Sequence, residues 1–296
     1  MAEDFKYAFL VGAPKCGTTA LVSWFARHPE VFALTDKEPG FFRSKTDWFI
    51  LNAQRPDEVQ TIPPNHPMRS ETAYRALAQD AKPGQWILDG STDYLSDKGA
   101  PNRIRAFTAG REVRIICILR DPVERAYSEY LHTRRDGQEP LSFLEAIEAE
   151  PERMVAGYQP LFFHLRRSRY YDDLQLYIST FGRDSVLILD HNEFREAPEA
   201  LGAKLCTFLK IAPADLGTPE QLNVSIPHQE LQAANRLKRR ARFAIRRILG
   251  SAPEHERTAP PLSDADRRYV FERLEDDIRA CIADPTIPTG RWAPKP

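Results

Sequence analysis

The segment Gly12-Ala13-Pro14-Lys15-Cys16-Gly17-Thr18-Thr19 puts two glycines, a lysine and two hydroxyls into one short turn, a set suited to holding anionic oxygens. An apolar run, Tyr7–Val11, precedes it and an amphipathic stretch, Thr19–Arg27, follows, so the turn joins a strand to a helix. Backbone N–H groups in such a turn, and at the helix N-terminus behind it, converge on phosphate-like ligands. The spacing of Gly12 and Gly17 matches the nucleotide-kinase loop G-x-x-x-x-G-K-[ST]. Thr18, however, stands where that loop carries its lysine, and the turn's lysine, Lys15, comes three residues earlier. A Mg-ATP site needs lysine there for the terminal phosphates and the adjacent hydroxyl for the metal. The bland alternative is a strand-to-helix turn that uses glycine for geometry alone. A second candidate anion site is Arg120-Asp121-Pro122-Val123-Glu124-Arg125-Ala126-Tyr127-Ser128. Arg120, ending an apolar run, presents a planar fork of donors suited to phosphate. A helix opening at Pro122 brings Ser128 toward the same oxygens.

These turns need a scaffold that places them together. Four short apolar runs, Tyr7–Val11, Trp86–Leu88, Val113–Leu119 and Val186–Leu189, read as strands covered on both faces. Helical patterns lie between and after them at Thr19–Arg27, Val123–Arg134, Tyr170–Phe181 and Pro198–Leu209. The alternation predicts an α/β chain: a P-loop-like, doubly wound parallel sheet with helices on both faces, forming one domain over 1–296. Ligands of such folds bind beyond the carboxyl ends of the strands, where both candidate turns fall. The Pro-rich segment Lys45–Gln85 reads as an excursion over the sheet, of the kind that serves as a binding loop or lid. Ala252–Pro261 reads as a linker before a last helix, Asp264–Ala283.

PKCGTT at 14–19 followed by RDPVERAYS at 120–128 resembles the sulfotransferases that use 3′-phosphoadenosine-5′-phosphosulfate (PAPS), in the branch of the heparan sulfate sulfotransferases and their bacterial relatives. Weaker resemblance extends over HPEVFALTDKEPGFF at 28–42, SRYYDDLQLYISTFGRDSVLILDHNEF at 168–194 and TGRW at 289–292. The resemblance implies a loop of Pro14, Lys15, Cys16, Gly17, Thr18 and Thr19 around the 5′-phosphosulfate, with Arg120 and Ser128 on the 3′-phosphate. It implies 3′,5′-bisphosphoadenosine as product and no metal. It also implies that Glu38 is the general base that takes the acceptor's proton, with Lys15 stabilising the leaving oxygen. Neighbouring Phe41 and Phe42 are expected to desolvate Glu38 in part. Without the resemblance, Glu38 reads as a solvated carboxylate beside Lys37. Phe41, Phe42, Tyr94 and His132 are the expected acceptor-binding residues, for a hydroxyl or amine of a small molecule, glycan or glycolipid.

Two departures from the family pattern stand out. Gly90 occupies the place of a second lysine of the glycan enzymes, and their late glycine-basic loop has no clear counterpart after Asn223-Val224-Ser225. Arg236–Arg247 is instead an amphipathic basic stretch, read as a solvated face, a cover over the cofactor's phosphates or a polyanion-binding helix. A P-loop phosphotransferase is the enzymatic alternative, with Asp89 and Asp190 ending apolar runs as metal-binding aspartates do. A nucleic-acid-binding module on the basic stretch is the non-enzymatic one. The net charge of −1 excludes a global field for nucleic acid or anionic membrane. Cys16, Cys117, Cys206 and Cys281 show no metal-ligand spacing and read as reduced thiols, Cys16 as a packing residue. The acidic start Met1-Ala2-Glu3-Asp4 and the absence of a run of ~20 apolar residues predict a cytoplasmic protein.

Overall fold

The computed structural model describes residues 5–44, 48–219, 261–290 and 292. In chain order the elements are β1 (Lys6–Gly12), α1 (Thr18–Phe25), β2 (Val31–Ala33), β3 (Trp48–Ile50), β4 (Val59–Thr61), α2 (Glu71–Ala76), β5 (Trp86–Asp89), α3 (Ala100–Phe107) and β6 (Val113–Leu119). There follow α4 (Pro122–Arg135), α5 (Phe143–Glu148), α6 (Glu150–Ala156), α7 (Tyr171–Phe181), β7 (Val186–Asp190), α8 (His191–Glu196), α9 (Pro198–Leu209) and α10 (Asp264–Ala283). The main sheet runs β2-β5-β1-β6-β7 with every pairing parallel, so all its strands end at one edge.

The strand period of two explains why both faces are covered. Tyr7 and Phe9 of β1 turn to one face, where they meet the rings of Phe107 at 5.8 Å and Phe42 at 5.5 Å. Leu10 turns to the other, where with Leu88 and Ile116 it faces Leu21, Val22 and Phe25 of α1 and Leu205 of α9. A second core joins Val123, Ala126 and Tyr130 of α4 to Phe143 and Ile147 of α5 and to Val270, Leu274 and Ile278 of α10. Helix α4 starts where Pro122 fixes the first turn and the Asp121 side chain accepts from the Glu124 N–H at 2.9 Å. Helix α10 starts where the Ser263 side chain accepts from the Asp266 N–H at 3.0 Å and spans the stretch expected from its pattern.

The excursion expected over 45–85 contains more order than its prolines suggest. β3 and β4 form an antiparallel hairpin, Ile50 bridges to Tyr158 beyond α6, and Tyr74 of α2 is built into the aromatic core. The basic stretch Arg236–Arg247 and the linker, except Pro261, lie outside the described residues.

Candidate active site

The turn after β1 is shaped by two residues with positive φ, Lys15 (φ 68) and Gly17 (φ 82), the second placed at the N-cap of α1. No side chain caps α1 and no acidic residue lies in its first turn. Side chains cap α2, α4, α8 and α10 (Ser70, Asp121, Asp190 and Ser263), while α3, α6, α7 and α9 share the uncapped start of α1. Thr18 is buried, Thr19 exposed and Pro14 half-buried. Cys16 lies fully buried under the turn, its Sγ 3.6 Å from the Pro14 carbonyl, and burial pushes its thiol up to about 11, the reverse of a reactive thiolate. Burial brings the Lys15 ammonium down to about 8; Glu129 opposes that shift, while Arg135 and Arg125 add to it.

Arg120 leaves the end of β6, the neighbour of β1. Its Nη2 lies 3.2 Å from Glu124 Oε2, and Glu124 also meets Arg267 of α10. The Arg120 charge acts on both Cys16 and His191, and His191 Nδ1 is 2.9 Å from the Cys16 carbonyl. The lysine turn and the arginine therefore share one end of the molecule, as one ligand spanning both requires. Ser128 is half-buried on α4.

Glu38 approaches from the opposite side of β1. Its Oε1 accepts from Lys37 Nζ at 2.7 Å and its Oε2 from Thr92 Oγ1 at 3.3 Å, just past the end of β5. The side chain is 37% exposed. The expected cover by Phe41 and Phe42 is absent. Both rings point into the core, packed on each other at 5.0 Å and on Tyr74 at 4.7 and 5.3 Å. Tyr94 is equally buried, with its hydroxyl on Asp89 at 3.0 Å. These aromatics support the floor of the site, and an acceptor cannot reach them in this conformation. His132 does lie at the site. Its Nδ1 accepts from Arg135 at 2.8 Å, and burial together with the Lys15 charge pushes it down to about 4, so it is neutral at physiological pH.

Between Lys15 and Glu38 runs a buried ionic chain. Glu129 accepts from Arg125 at 2.9 Å and from Arg167 at 2.5 Å, and the two guanidiniums hold its carboxyl down at about 2 despite burial. Arg167 also bonds Asp93, which pairs with Arg43 at 3.0 Å. The charge of Glu38 acts on Arg167 and that of Glu129 on Lys15, so the chain connects the two.

A model of the sulfotransferase family matches residues 8–215, a stretch holding the lysine turn, Glu38, Arg120 and the ionic chain. The chain belongs to that family. It is 30% identical to human heparan sulfate glucosamine 3-O-sulfotransferase 6 over 129 residues, 44% of this chain and 31% of that protein. It is 26% identical to human bifunctional heparan sulfate N-deacetylase/N-sulfotransferase 2 over 218 residues, 69% of this chain and 22% of that protein. The matches thus span less than a third of these relatives' length. Its fold is similar to that of a sulfotransferase from Alicyclobacillus acidocaldarius, with a TM-score of 0.73 at 24% identity, covering 97% of this chain and 98% of that one.

In this member of the sulfotransferase family the strand-end aspartates are engaged within the fold, which does not favour the kinase alternative. Asp89 is buried, accepts from Tyr74, Tyr94 and the Ser91 N–H and Oγ, and is pushed up to about 6 by burial. Asp190 caps α8 by accepting from the Asn192 N–H at 3.0 Å. Among the described residues no group of three or more His, Cys, Asp and Glu side chains is placed to hold a metal ion. Among them also, no helix is long and apolar enough to cross a membrane. At Gly90 a Cβ would lie 2.8 Å from Val22 Cγ2 and 3.3 Å from the Lys37 carbonyl, so the segment bearing Glu38 packs where a side chain would start. Sequence reasoning missed Arg125, Glu129, Arg167, Asp93 and His191, whereas the Lys37 beside Glu38 was read from the sequence and does pair with it. Arg125 and Glu129 carry a legible i,i+4 signal. Arg167 and Asp93 carry none, because their partners are distant in sequence.

Proposed function

We propose that this sulfotransferase moves a sulfuryl group from PAPS to a hydroxyl or amine of a glycan, lipid or small-molecule acceptor. One observation carries the reading. Three strand ends lie in a row, with Arg120 at β6, the lysine turn at β1 and Glu38 with Thr92 at β5. Such a row suits a donor with two anionic ends on one side of Lys15 and an acceptor on the other. The uncapped first turn of α1, free of acidic residues, fits a phosphosulfate, and Arg120 with Ser128 fits the 3′-phosphate.

The donor supplies an electrophilic sulfur and, as leaving group, the bridging oxygen of a 5′-phosphate. The acceptor oxygen or nitrogen forms a bond to sulfur as the bond from sulfur to that bridging oxygen breaks. Glu38, as general base, takes the acceptor's proton and later gives it to water. Lys15, as ammonium, faces the charge that grows on the leaving oxygen and stabilises it more in the transition state than before it. Lys37 and Thr92 hold the two Glu38 oxygens, which fixes the carboxylate until an acceptor proton replaces one of these donors. The heparan sulfate and glucosamine named for the relatives support a sugar-bearing acceptor.

The test is a thermal melt with nucleotides, then a panel of acceptors with PAPS read by mass spectrometry for the sulfate increment. At 100 times its dissociation constant, 3′,5′-bisphosphoadenosine should stabilise the protein by about 2.7 kcal/mol without magnesium. Stabilisation by Mg-ATP alone would overturn the reading.

A further inference from the structure

We infer that His191 is a positioning residue for nucleotide binding: its ring holds the Cys16–Gly17 peptide so that the lysine turn presents its N–H groups to the donor's anion. The inference rests on the PAPS reading above and adds to it a residue on β7's side of the site.

His191 is the first residue of α8, directly after β7. Its Nδ1 lies 2.9 Å from the carbonyl oxygen of Cys16. A carbonyl only accepts, so Nδ1 carries the hydrogen and the ring is the Nδ1–H tautomer. In a planar trans peptide the C=O and the following N–H point in opposite directions. Drawing the Cys16 oxygen toward α8 therefore turns the Gly17 N–H away from α8 and into the concave side of the turn. A turn free to rotate this peptide would instead offer a carbonyl to the incoming phosphate and repel it.

Steric contact works with the hydrogen bond. Gly17 has φ 82, and a Cβ there would lie 3.1 Å from His191 Nδ1 and 3.8 Å from Phe194 Cδ1. The ring thus packs against Gly17, one of the two left-handed residues of the turn. Phe194 in turn contacts Trp24 of α1 at 5.7 Å between ring centroids, so α8 holds both the turn and the helix behind it. Burial and the nearby Arg120 charge keep the imidazole neutral, with its one ring hydrogen on Nδ1.

The test compares His191→Asn and His191→Leu, two side chains of similar size. Asn can place an N–H close to the position of Nδ1 and Leu cannot. Dissociation constants for 3′,5′-bisphosphoadenosine are measured by calorimetry, with thermal melts to establish that each variant is folded. A net hydrogen bond of the usual strength predicts about three- to tenfold weaker binding for His191→Leu, with His191→Asn within about twofold of wild type. Turnover at saturating donor should change less than affinity in both. Equal affinities for the two folded variants would overturn the inference and leave the PAPS reading intact. Failure of the wild-type protein to bind the bisphosphate would instead overturn the reading beneath it. Should His191→Leu not fold, wild-type affinity in His191→Phe, which fills the space without a donor, would overturn the inference, and weakening there would support it.

Discussion

Lys15 should make nucleotide binding depend on pH in a range where few other groups at the site titrate. Its ammonium in the ligand-free protein titrates near 8, lowered by burial and by Arg135 and Arg125 against the opposing pull of Glu129 and Asp136. A bound bisphosphate places negative charge beside it and raises that value. The ammonium's contribution to binding is then fully present below about pH 8 and is lost as pH rises from there toward the raised, bound-state value. With a free-protein value of 8, roughly nine-tenths of the lysine is charged at pH 7 and roughly one-tenth at pH 9. The dissociation constant should therefore rise about tenfold between pH 7 and pH 9. At pH 8, about half a proton should be taken up per nucleotide bound. Cys16, pushed up to about 11, and His132 and His191, pushed down to about 4, leave this window clear. The phosphate's own second ionisation, near pH ~6, lies below it. Calorimetry in buffers of different ionisation enthalpy measures both quantities. Lys15→Arg, whose guanidinium stays charged throughout, should abolish the slope while keeping part of the affinity at pH 7. A flat wild-type profile from pH 7 to 9, or an unchanged slope in Lys15→Arg, would refute the argument.

Three further outcomes test other parts of the site. Glu38→Gln should lower turnover by about 10²–10⁴ with bisphosphate affinity nearly intact, and wild-type turnover would remove the base assignment. Arg120→Ala removes charge-assisted bonds to the 3′-phosphate and should weaken bisphosphate binding by about ten- to a hundredfold, so an unchanged dissociation constant by calorimetry would count against that role. Gly90→Lys, which restores the family lysine, should not raise activity. Its Cβ overlaps Val22 and the Lys37 carbonyl, and overpacking of about 1–3 kcal/mol should appear as a melting point several degrees lower.

The parts of the fold legible in the sequence are those with local signals. Val113–Leu119 is a seven-residue run, apolar but for Arg114, and the strand has those bounds. The Asp121-Pro122 pair announced α4, and the pattern of Asp264–Ala283 gave α10 its full length. Val31–Ala33 escaped because three residues carry no periodicity, although β2 forms an edge of the main sheet. The pair α5 and α6 escaped although Ser142 and Glu145 make a capping box, visible as S-x-x-E. The turn after β1 and the arginine after β6 were legible as candidates because glycine, lysine and arginine at strand ends have few structural reasons to coincide. The surroundings of Glu38 were not. Phe41 and Phe42 are adjacent to it in sequence, but Gly40 (φ 65) turns the chain so that both rings enter the core and the carboxylate stays at the surface. Sequence proximity to an aromatic therefore said nothing about desolvation here.

The ionic chain explains how a protein of net charge −1 can keep a local excess of positive charge. Along it and beside it, Lys15, Lys37, Arg43, Arg125 and Arg167 outnumber Glu38, Asp93 and Glu129. The buried arginines are already tied to carboxylates and cannot swing out to a ligand, so their excess charge acts as a fixed field. Fixed charge needs no reorganisation when negative charge develops on a leaving oxygen, which is the condition for electrostatic stabilisation of a transition state. In the proposed reading, Lys15 and Arg120 then meet the two ends of the donor. Lys15 borders the same chain. Burial is the first cause of its lowered value, Arg135 and Arg125 add to it, and Glu129 and Asp136 oppose it. Removing Glu129 would therefore take a shared carboxylate from Arg125 and Arg167 and also remove a charge that favours the Lys15 ammonium, which ties stability and anion recognition to one side chain.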